Sequence, residues 1–559
     1  MIRVRSSILL LCVAVTMILA ACNQTSSPSS SSASSSSQSS GSGSGSSGSG
    51  SGSSGSGGGS SGSGGGSGSG GGSGSGGGSG SGGGSGSGGG SGSGGTATPV
   101  MFQHIASSTN PTGNGIAGRA FVFHTESLPP NTVAVMGVSA PAGTTVAISD
   151  TLAGSWSGAV CKTSGGADST EAWVFVQPLG ATGGPDTISI GVGSSNTQPV
   201  QFDVTFWQNI NTSSPANGSL CTGNITPSSA GSIQPGSFTP TANNDANGGN
   251  VIWNYTPICT GYASGNPTQW VPASGFSLLN GEIIWTNDQG FPQASQYYLQ
   301  TTQASVTPSI TATGDTSDCF NSASVALAVA NNGATSPSAI HVVAIGHESF
   351  ITFSSPGTMK IQVPWAGNLR ALAFTWQSMS PGGGAGSITA IASSDGCNFT
   401  KTGGDGGANV WYAQNCSACP TCTVSLTWTG AYISPQGSFR YYDVENAQAS
   451  SFQNAATSTT FACGTSVTDA PTFTPAGASS GLVIQELGNG NGPITGFGPG
   501  APAGAVFDLW TFTGQTDNDV ADNADDSSHL YYSSTATQDW NFTKTNGSDV
   551  CFAAAAAFD

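Results

Sequence analysis

Apolar residues are distributed along this chain in three regimes. A continuous apolar run, residues 8–20, follows a basic start carrying Arg3 and Arg5. From Ser26 to about Gly95 apolar side chains are nearly missing, and Ser runs pass into near-repeats of Ser-Gly-Ser-Gly-Gly-Gly. Beyond that, short segments alternate apolar and polar residues between clusters of Gly, Ser, Thr, Asn and Pro. Residues 132–138, 187–190, 202–206, 423–428, 439–444 and 482–487 each put their apolar members on one face at a period of two. A helical period is hardly present. Many short strands separated by turns predict antiparallel sheets packed as sandwiches rather than a parallel sheet.

The first regime reads as a secretory signal over residues 1–21. Its apolar run is well short of the roughly twenty residues that span a bilayer. It ends in Leu19-Ala20-Ala21-Cys22, which resembles the bacterial lipobox. That resemblance implies that Cys22 becomes an acylated N-terminus and holds the membrane through its lipid. Each buried methylene contributes ~0.8 kcal/mol, so several acyl chains together make a stable anchor. Asn23, rather than Asp, follows the cysteine and leans the expected location towards the outer membrane, with the folded part periplasmic or at the cell surface. Residues 22–95 cannot bury enough apolar surface to offset their ordering entropy, so they are expected to be a disordered tether. About seventy such residues span roughly 45–50 Å root-mean-square.

Charge narrows the possible partners. After the signal the basic residues are Arg119, Lys162, Lys360, Arg370, Lys401, Arg440 and Lys544, seven against 27 Asp and Glu, or −20. A polyanion with no basic stripe does not neutralise phosphates, which excludes nucleic acid as a partner.

The folded part also repeats at an offset of about 235 residues. Residues 131–137 match 368–374, Lys162-Thr163 matches Lys401-Thr402, Trp173 matches Trp411, Tyr297-Tyr298 matches Tyr531-Tyr532, and Cys319-Phe320 matches Cys551-Phe552. The expected organisation is two tandem domains, 96–335 and 336–559. Trp411-Tyr412-Ala413-Gln414-Asn415, then residues 423–428, then Arg440-Tyr441-Tyr442-Asp443-Val444 are similar to the β-sandwich repeats of large secreted bacterial proteins. The resemblance implies two jelly-roll-like antiparallel sandwiches in an all-β chain and a cell-surface setting. It carries over no functional residue.

Ten cysteines follow Cys22: Cys161, Cys221, Cys259 and Cys319 in the first half, and Cys397, Cys416, Cys419, Cys422, Cys463 and Cys551 in the second. Even counts in an exported chain point to disulfides. The repeat suggests Cys221–Cys319 and Cys463–Cys551, which leaves Cys161–Cys259; this is one of three connectivities in the first half. Cys416-x2-Cys419-x2-Cys422, with Cys397 as a fourth ligand, is the alternative zinc spacing.

Catalytic signals are sparse. Asp443 and Glu445 are two carboxylates at strand spacing, which a glycosidase would need across a cleft. His104, His124, His341, His347 and His529 are scattered and lack the spacing of a zinc protease. Asp517, Asp519, Asp522, Asp525 and Asp526, interleaved with Asn518 and Asn523, form an oxygen-rich stretch that could hold a structural calcium; no other cofactor is implied. Trp156, Trp207, Trp253, Trp270, Trp285, Trp365, Trp376, Trp510 and Trp540 serve either as core or as stacking platforms for sugars. The leading expectation is a non-enzymatic envelope lipoprotein that displays β-sandwiches for adhesion or polysaccharide binding. The alternatives are a structural envelope or matrix component with no specific ligand, and a polysaccharide-active enzyme using Asp443 and Glu445.

Overall fold

The computed structural model describes residues 98–559 apart from 110–118, 166–168, 194–199, 261–266, 282–291, 351–356, 379–386, 403–407, 430–434, 464–467, 470–471, 477–479, 490–493, 498–503, 509–523, 538–540 and 545–548. Among the described residues the regular structure is β, with a single 3-10 turn at Asp245–Asn247. No helix of theirs is long and apolar enough to cross a membrane. Short runs of Val, Thr, Ile and aromatics favour the pleated surface, where branched side chains keep their preferred rotamers and pack against neighbours.

The longest sheet has ten strands. Their order is Thr400–Lys401, Ala408–Gln414, Leu369–Ser378, Pro435–Glu445, His341–Phe350, Val100–Thr109, Val200–Gln208, Val133–Pro141, Thr170–Pro178 and Cys161–Lys162. Val100–Thr109 and His341–Phe350 lie parallel at its centre. Every other pairing in the sheet is antiparallel. Outward from the central pair both flanks follow one plan: a long return strand, a middle strand, its antiparallel partner, and a two-residue edge. An eight-stranded sheet joins five strands of the first half to Gly357–Gln362, Thr423–Thr429 and Ser387–Ser393 of the second. The register there crosses between halves only at Gly281↔Gln362. Sheets therefore run through the 335/336 boundary, and residues 90–559 form one compact unit.

The antiparallel sandwich packing expected from the alternation is present, and it is deeper than alternation suggests. In the first half four sheets stack. One core, with Phe123, Ile148, Ile190, Phe202 and Phe206, lies between the Arg119–Leu128 sheet and the ten-stranded sheet. A second, with Val133, Val174, Trp207, Trp253, Tyr255 and Val325, lies between the two large sheets. A third, with Ile233, Trp270, Ile310 and Phe320, lies under a three-stranded outer sheet. All nine residues of Val133–Pro141, Val200–Gln208 and Phe320–Ala328 are consequently buried. Inner strands have no solvent face, so their polar alternates must pair internally. Asn254 Nδ2 donates to Ser322 Oγ at 2.8 Å and Ser324 Oγ at 3.0 Å, and Tyr255 OH donates to Gln293 at 2.8 Å.

Close approach of the two inner sheets requires a missing side chain at Gly137. A Cβ there would lie 2.5 Å from the Tyr255 ring, so the ring fills the space a side chain would take.

The disulfides differ from the expected connectivity. The bonds are Cys161–Cys221 and Cys259–Cys319 in the first half, not Cys161–Cys259 and Cys221–Cys319. Register decides this: Cys221 lies opposite Ala323 in its own sheet, out of line with Cys319, while Cys259 donates its N–H to the Cys319 carbonyl at 2.9 Å. Cys161 sits on the edge of the ten-stranded sheet, and its bond ties that sheet to the edge strand Ala216–Ile225 of the next layer. In the second half Cys397 pairs with Cys416 and Cys419 with Cys422, so the four-thiolate zinc set is not formed. Cys463 and Cys551 lie on neighbouring strands, where Cys551 is in register with Phe461; their side chains are outside the described residues. Closing loops of 60 residues stabilises by about 4 kcal/mol each on chain entropy, whereas the three-residue separation of Cys419–Cys422 contributes only about 2 kcal/mol.

Candidate functional site

Small residues open a cleft at the outer edge of the first half. On Val146–Asp150 and Gly184–Val192 the positions Ala147, Ser149, Ser189 and Gly191 carry little or no side chain, and a cleft of about 810 Å3 lies over them. Its polar lining is hydroxyl: Thr144, Thr145, Ser149, Ser155, Ser157 and Ser189. Its base is aromatic, formed by Trp156, Trp173 and Phe175, each buried but for an edge. Asp150 fixes Trp156 by accepting its indole N–H and, at 3.1 Å, the Gly154 N–H. Lys162 lies 5.9 Å above the Trp173 ring and 3.6 Å from Glu171, with 54% of its side chain exposed. The Glu171 carboxylate accepts the Gly143 and Gly165 N–H groups at 3.3 Å each and so ties two rim loops together. Hydroxyl donors and acceptors beside one cation suit an uncharged polyhydroxylated ligand, whose own hydroxyls exchange hydrogen bonds with them.

The richest cluster of titratable groups lies elsewhere, where three sheets meet. Glu126, on Arg119–Leu128, bridges two histidines: His341 Nδ1 is 3.0 Å from Oε2 and His529 Nε2 is 3.3 Å from Oε1. His341 Nε2 lies 2.7 Å from the Phe102 carbonyl, and His529 Nδ1 lies 2.9 Å from Asp508 Oδ2. Both nitrogens of each ring thus face oxygens, which favours the protonated form of both rings, although His529 Nε2 approaches Glu126 without a well-formed hydrogen bond. Burial opposes the charge on His529, but Asp508 and Glu126 overcome it and raise its pKa to about 10. For Glu126 burial likewise acts first and upward, yet hydrogen bonds from His341 and His529 bring it down to about 2. His341 is raised by Glu126 against its own desolvation. Tyr531 OH donates to Glu126 and accepts the Val342 N–H at 2.7 Å, and Tyr442 OH donates to Asp508 at 3.0 Å. Two carboxylates thus face two imidazole rings, and the Tyr442 and Tyr531 hydroxyls complete the set. A cavity of about 500 Å3 opens beside this clamp, walled by Thr335–His341, Tyr531, Tyr532 and Asp559.

The remaining expectations are distributed as follows. Asp443 does not face solvent with Glu445. It is buried, its carboxylate accepts the Ala366 and Gly367 N–H groups at 2.6 and 2.9 Å, and burial pushes its pKa up to about 7. It holds a turn. Ser295, Asp203 and His104 come together, but Ser295 Oγ donates to Asp203 at 2.6 Å rather than to the imidazole, which is 3.1 Å from the same oxygen. The serine meets a carboxylate and not an imidazole, and all three are closed off from solvent, so the contact serves to tie the two large sheets together. Trp156, Trp207, Trp253, Trp270 and Trp365 are core; Trp285, Trp510 and Trp540, and the side chain of Trp376, lie outside the described residues. So do Cys22 and the calcium candidates Asp517, Asp519 and Asp522. Asp525 and Asp526 are strand positions in register with Gly488 and Leu487, their side chains undescribed. His124 is hydrogen-bonded with Thr187 at 2.9 Å, and burial lowers its pKa.

Sequence reading missed the clamp because its partners are up to 405 residues apart. No local spacing announces it. The one usable signal was the scarcity of charge, which makes each buried Glu or His in an inner strand a candidate for internal pairing. Among family models, curated proteins and solved structures, none matches this chain.

Proposed function

We propose that this chain is an exported lipoprotein, acylated at Cys22 and displayed on residues 22–95, whose sandwich array binds neutral polysaccharide without turning it over. The observation that carries the reading is the hydroxyl-lined cleft that Trp156 and Trp173 border; among the described residues Glu126, His341, His529 and Asp443 are engaged internally instead. The lipobox resemblance and the Ser/Gly tract supply the location, and the disulfides suit an oxidising compartment. The enzymatic alternative needed two carboxylates flanking a cleft and loses Asp443 to the interior.

A glycan array probed with the mature chain tests this. Retention on uncharged glycans is expected, with at least a tenfold loss in Ser189→Trp, which fills the cleft, at an unchanged melting temperature. Silence across a broad array, or undiminished retention by Ser189→Trp, would overturn the reading in favour of a structural component without a specific ligand.

A further inference from the structure

Among the described disulfides Cys419–Cys422 closes the shortest loop and is the best placed for chemistry. Its loop, Cys419-Pro420-Thr421-Cys422, has exposed Pro420 and Thr421 at its tip and Cys419 half-buried, with Cys422 behind it at 1% exposure. The loop is held independently of its own S–S bond. Trp365 exchanges two backbone hydrogen bonds with Cys419, at 2.7 and 3.0 Å, and Val363 N–H donates to the Cys422 carbonyl at 3.1 Å. Cys397–Cys416 anchors the preceding turn, and Arg370 donates at 2.7 Å to the Ser417 carbonyl. Breaking the Cys419–Cys422 bond therefore leaves both sulfurs where they are to within side-chain rotation.

A third ligand already faces them. A carboxylate oxygen of Asp395 and the sulfurs of Cys419 and Cys422 all lie within 4.8 Å of one another, the one such set among the described residues. Asp395 is itself fixed by a bidentate pair with Arg370, at 2.6 and 3.1 Å, and by Cys397 N–H at 3.2 Å. Zinc–sulfur bonds of about 2.3 Å put two tetrahedral thiolates roughly 3.7 Å apart. A Cα–Cα separation of 5.5 Å between Cys419 and Cys422 accommodates that by rotation about the side-chain bonds alone.

We propose that Cys419–Cys422 is an exchangeable disulfide whose reduction creates a zinc-class metal site with Asp395 as the oxygen ligand. An external dithiol is the reductant. Its thiolate attacks the accessible Cys419 sulfur, forms a mixed disulfide and expels Cys422 as the thiolate. The reductant's second thiolate then attacks its own sulfur in the mixed bond and releases Cys419, leaving the reductant as a cyclic disulfide. The released thiolates take up protons from solvent, and zinc returns those protons to solvent as it forms two Zn–S bonds and one Zn–O bond, with a fourth position open to water. The reading is independent of the cleft and of its ligand.

The full mature chain is titrated with a dithiol, alkylated and mapped by mass spectrometry; a parallel sample is desalted and titrated with zinc. The expected result is that Cys419 and Cys422 become alkylated before any other disulfide-bonded pair, and that reduction adds one tight zinc equivalent per chain that the oxidised protein lacks. Cys419→Ser with Cys422→Ser abolishes the added equivalent, and Asp395→Asn weakens it at least tenfold. Should Asp395→Asn fail to fold for loss of the Arg370 pair, Asp395→Glu, which keeps the charge, is expected to retain the site. Prior reduction of Cys161–Cys221, Cys259–Cys319 or Cys397–Cys416, or an equal zinc gain in the doubly substituted chain, overturns the proposal.

Discussion

Replacing Glu126 by Gln keeps the shape of the side chain and removes the charge that two buried imidazolium rings share. His341 and His529 have side chains 5% and 0% exposed, so neither can recover its lost partner from water. Breaking a buried ion pair from one side costs about 3–5 kcal/mol. The depression of the Glu126 pKa from 4.5 to about 2 gives a compatible figure of about 3 kcal/mol, at about 1.4 kcal/mol per unit. A glutamate lowered in this way contributes stability that is present above pH 4.5 and is lost as the pH falls to about 2. A histidine raised from 6.5 to about 10, as His529 is, contributes stability that is full below pH 6.5 and is lost as the pH climbs to about 10. The clamp is therefore strongest between those two limits, from pH 4.5 to 6.5. Urea unfolding followed by tryptophan fluorescence, at pH values from about 2 to 10, measures it. Glu126→Gln is expected to lose about 3 kcal/mol in the middle of the window, with the gap to the parent narrowing at both ends. A gap below about 1 kcal/mol at mid-window, or one that does not vary with pH, would refute the charge balance argued for this cluster.

Two further outcomes follow from the packing. Gly137→Val drives a side chain into the Tyr255 ring, so a drop of more than about 2 kcal/mol in unfolding free energy is expected, and Tyr255→Ala in the same chain should restore part of it. Replacing Cys161 and Cys221 by Ser is expected to lower the melting temperature well beyond the effect of replacing Cys419 and Cys422, because the entropic contributions are about 4 against about 2 kcal/mol; scanning calorimetry compares them directly.

Strand class was legible because a period of two survives even where both faces are buried: residues 202–206 alternate apolar and polar side chains whether the polar side meets water or another sheet. What the period cannot tell is which of these it meets. Residues 202–206 read as a one-sided strand, yet Asp203 points into the interior and bonds Ser295 of the next sheet. Disulfide likelihood was likewise legible from compartment and parity, but pairing depends on register between strands 60 residues apart, to which the repeat offset is blind. At the cleft, the informative residues were Ala147, Ser189 and Gly191. Their smallness is ordinary in a chain with 86 glycines and takes on meaning only once Trp156 and Trp173 are seen beneath them. Asp443 misled for a related reason: two acids at strand spacing share a face, but that face is turned inward at the Ala366–Gly367 turn.

Val100–Thr109 is the first described strand, and its location has a mechanical consequence for any pull that enters the folded part there. Val100–Thr109 is not an edge. It is held on one side by nine antiparallel register pairs with Val200–Gln208 and on the other by five parallel pairs with His341–Phe350. Load along the strand axis is then borne in shear by both ladders together instead of opening them one bond at a time. A strand placed in this way gives only when both ladders shear together, and it cannot peel from an edge.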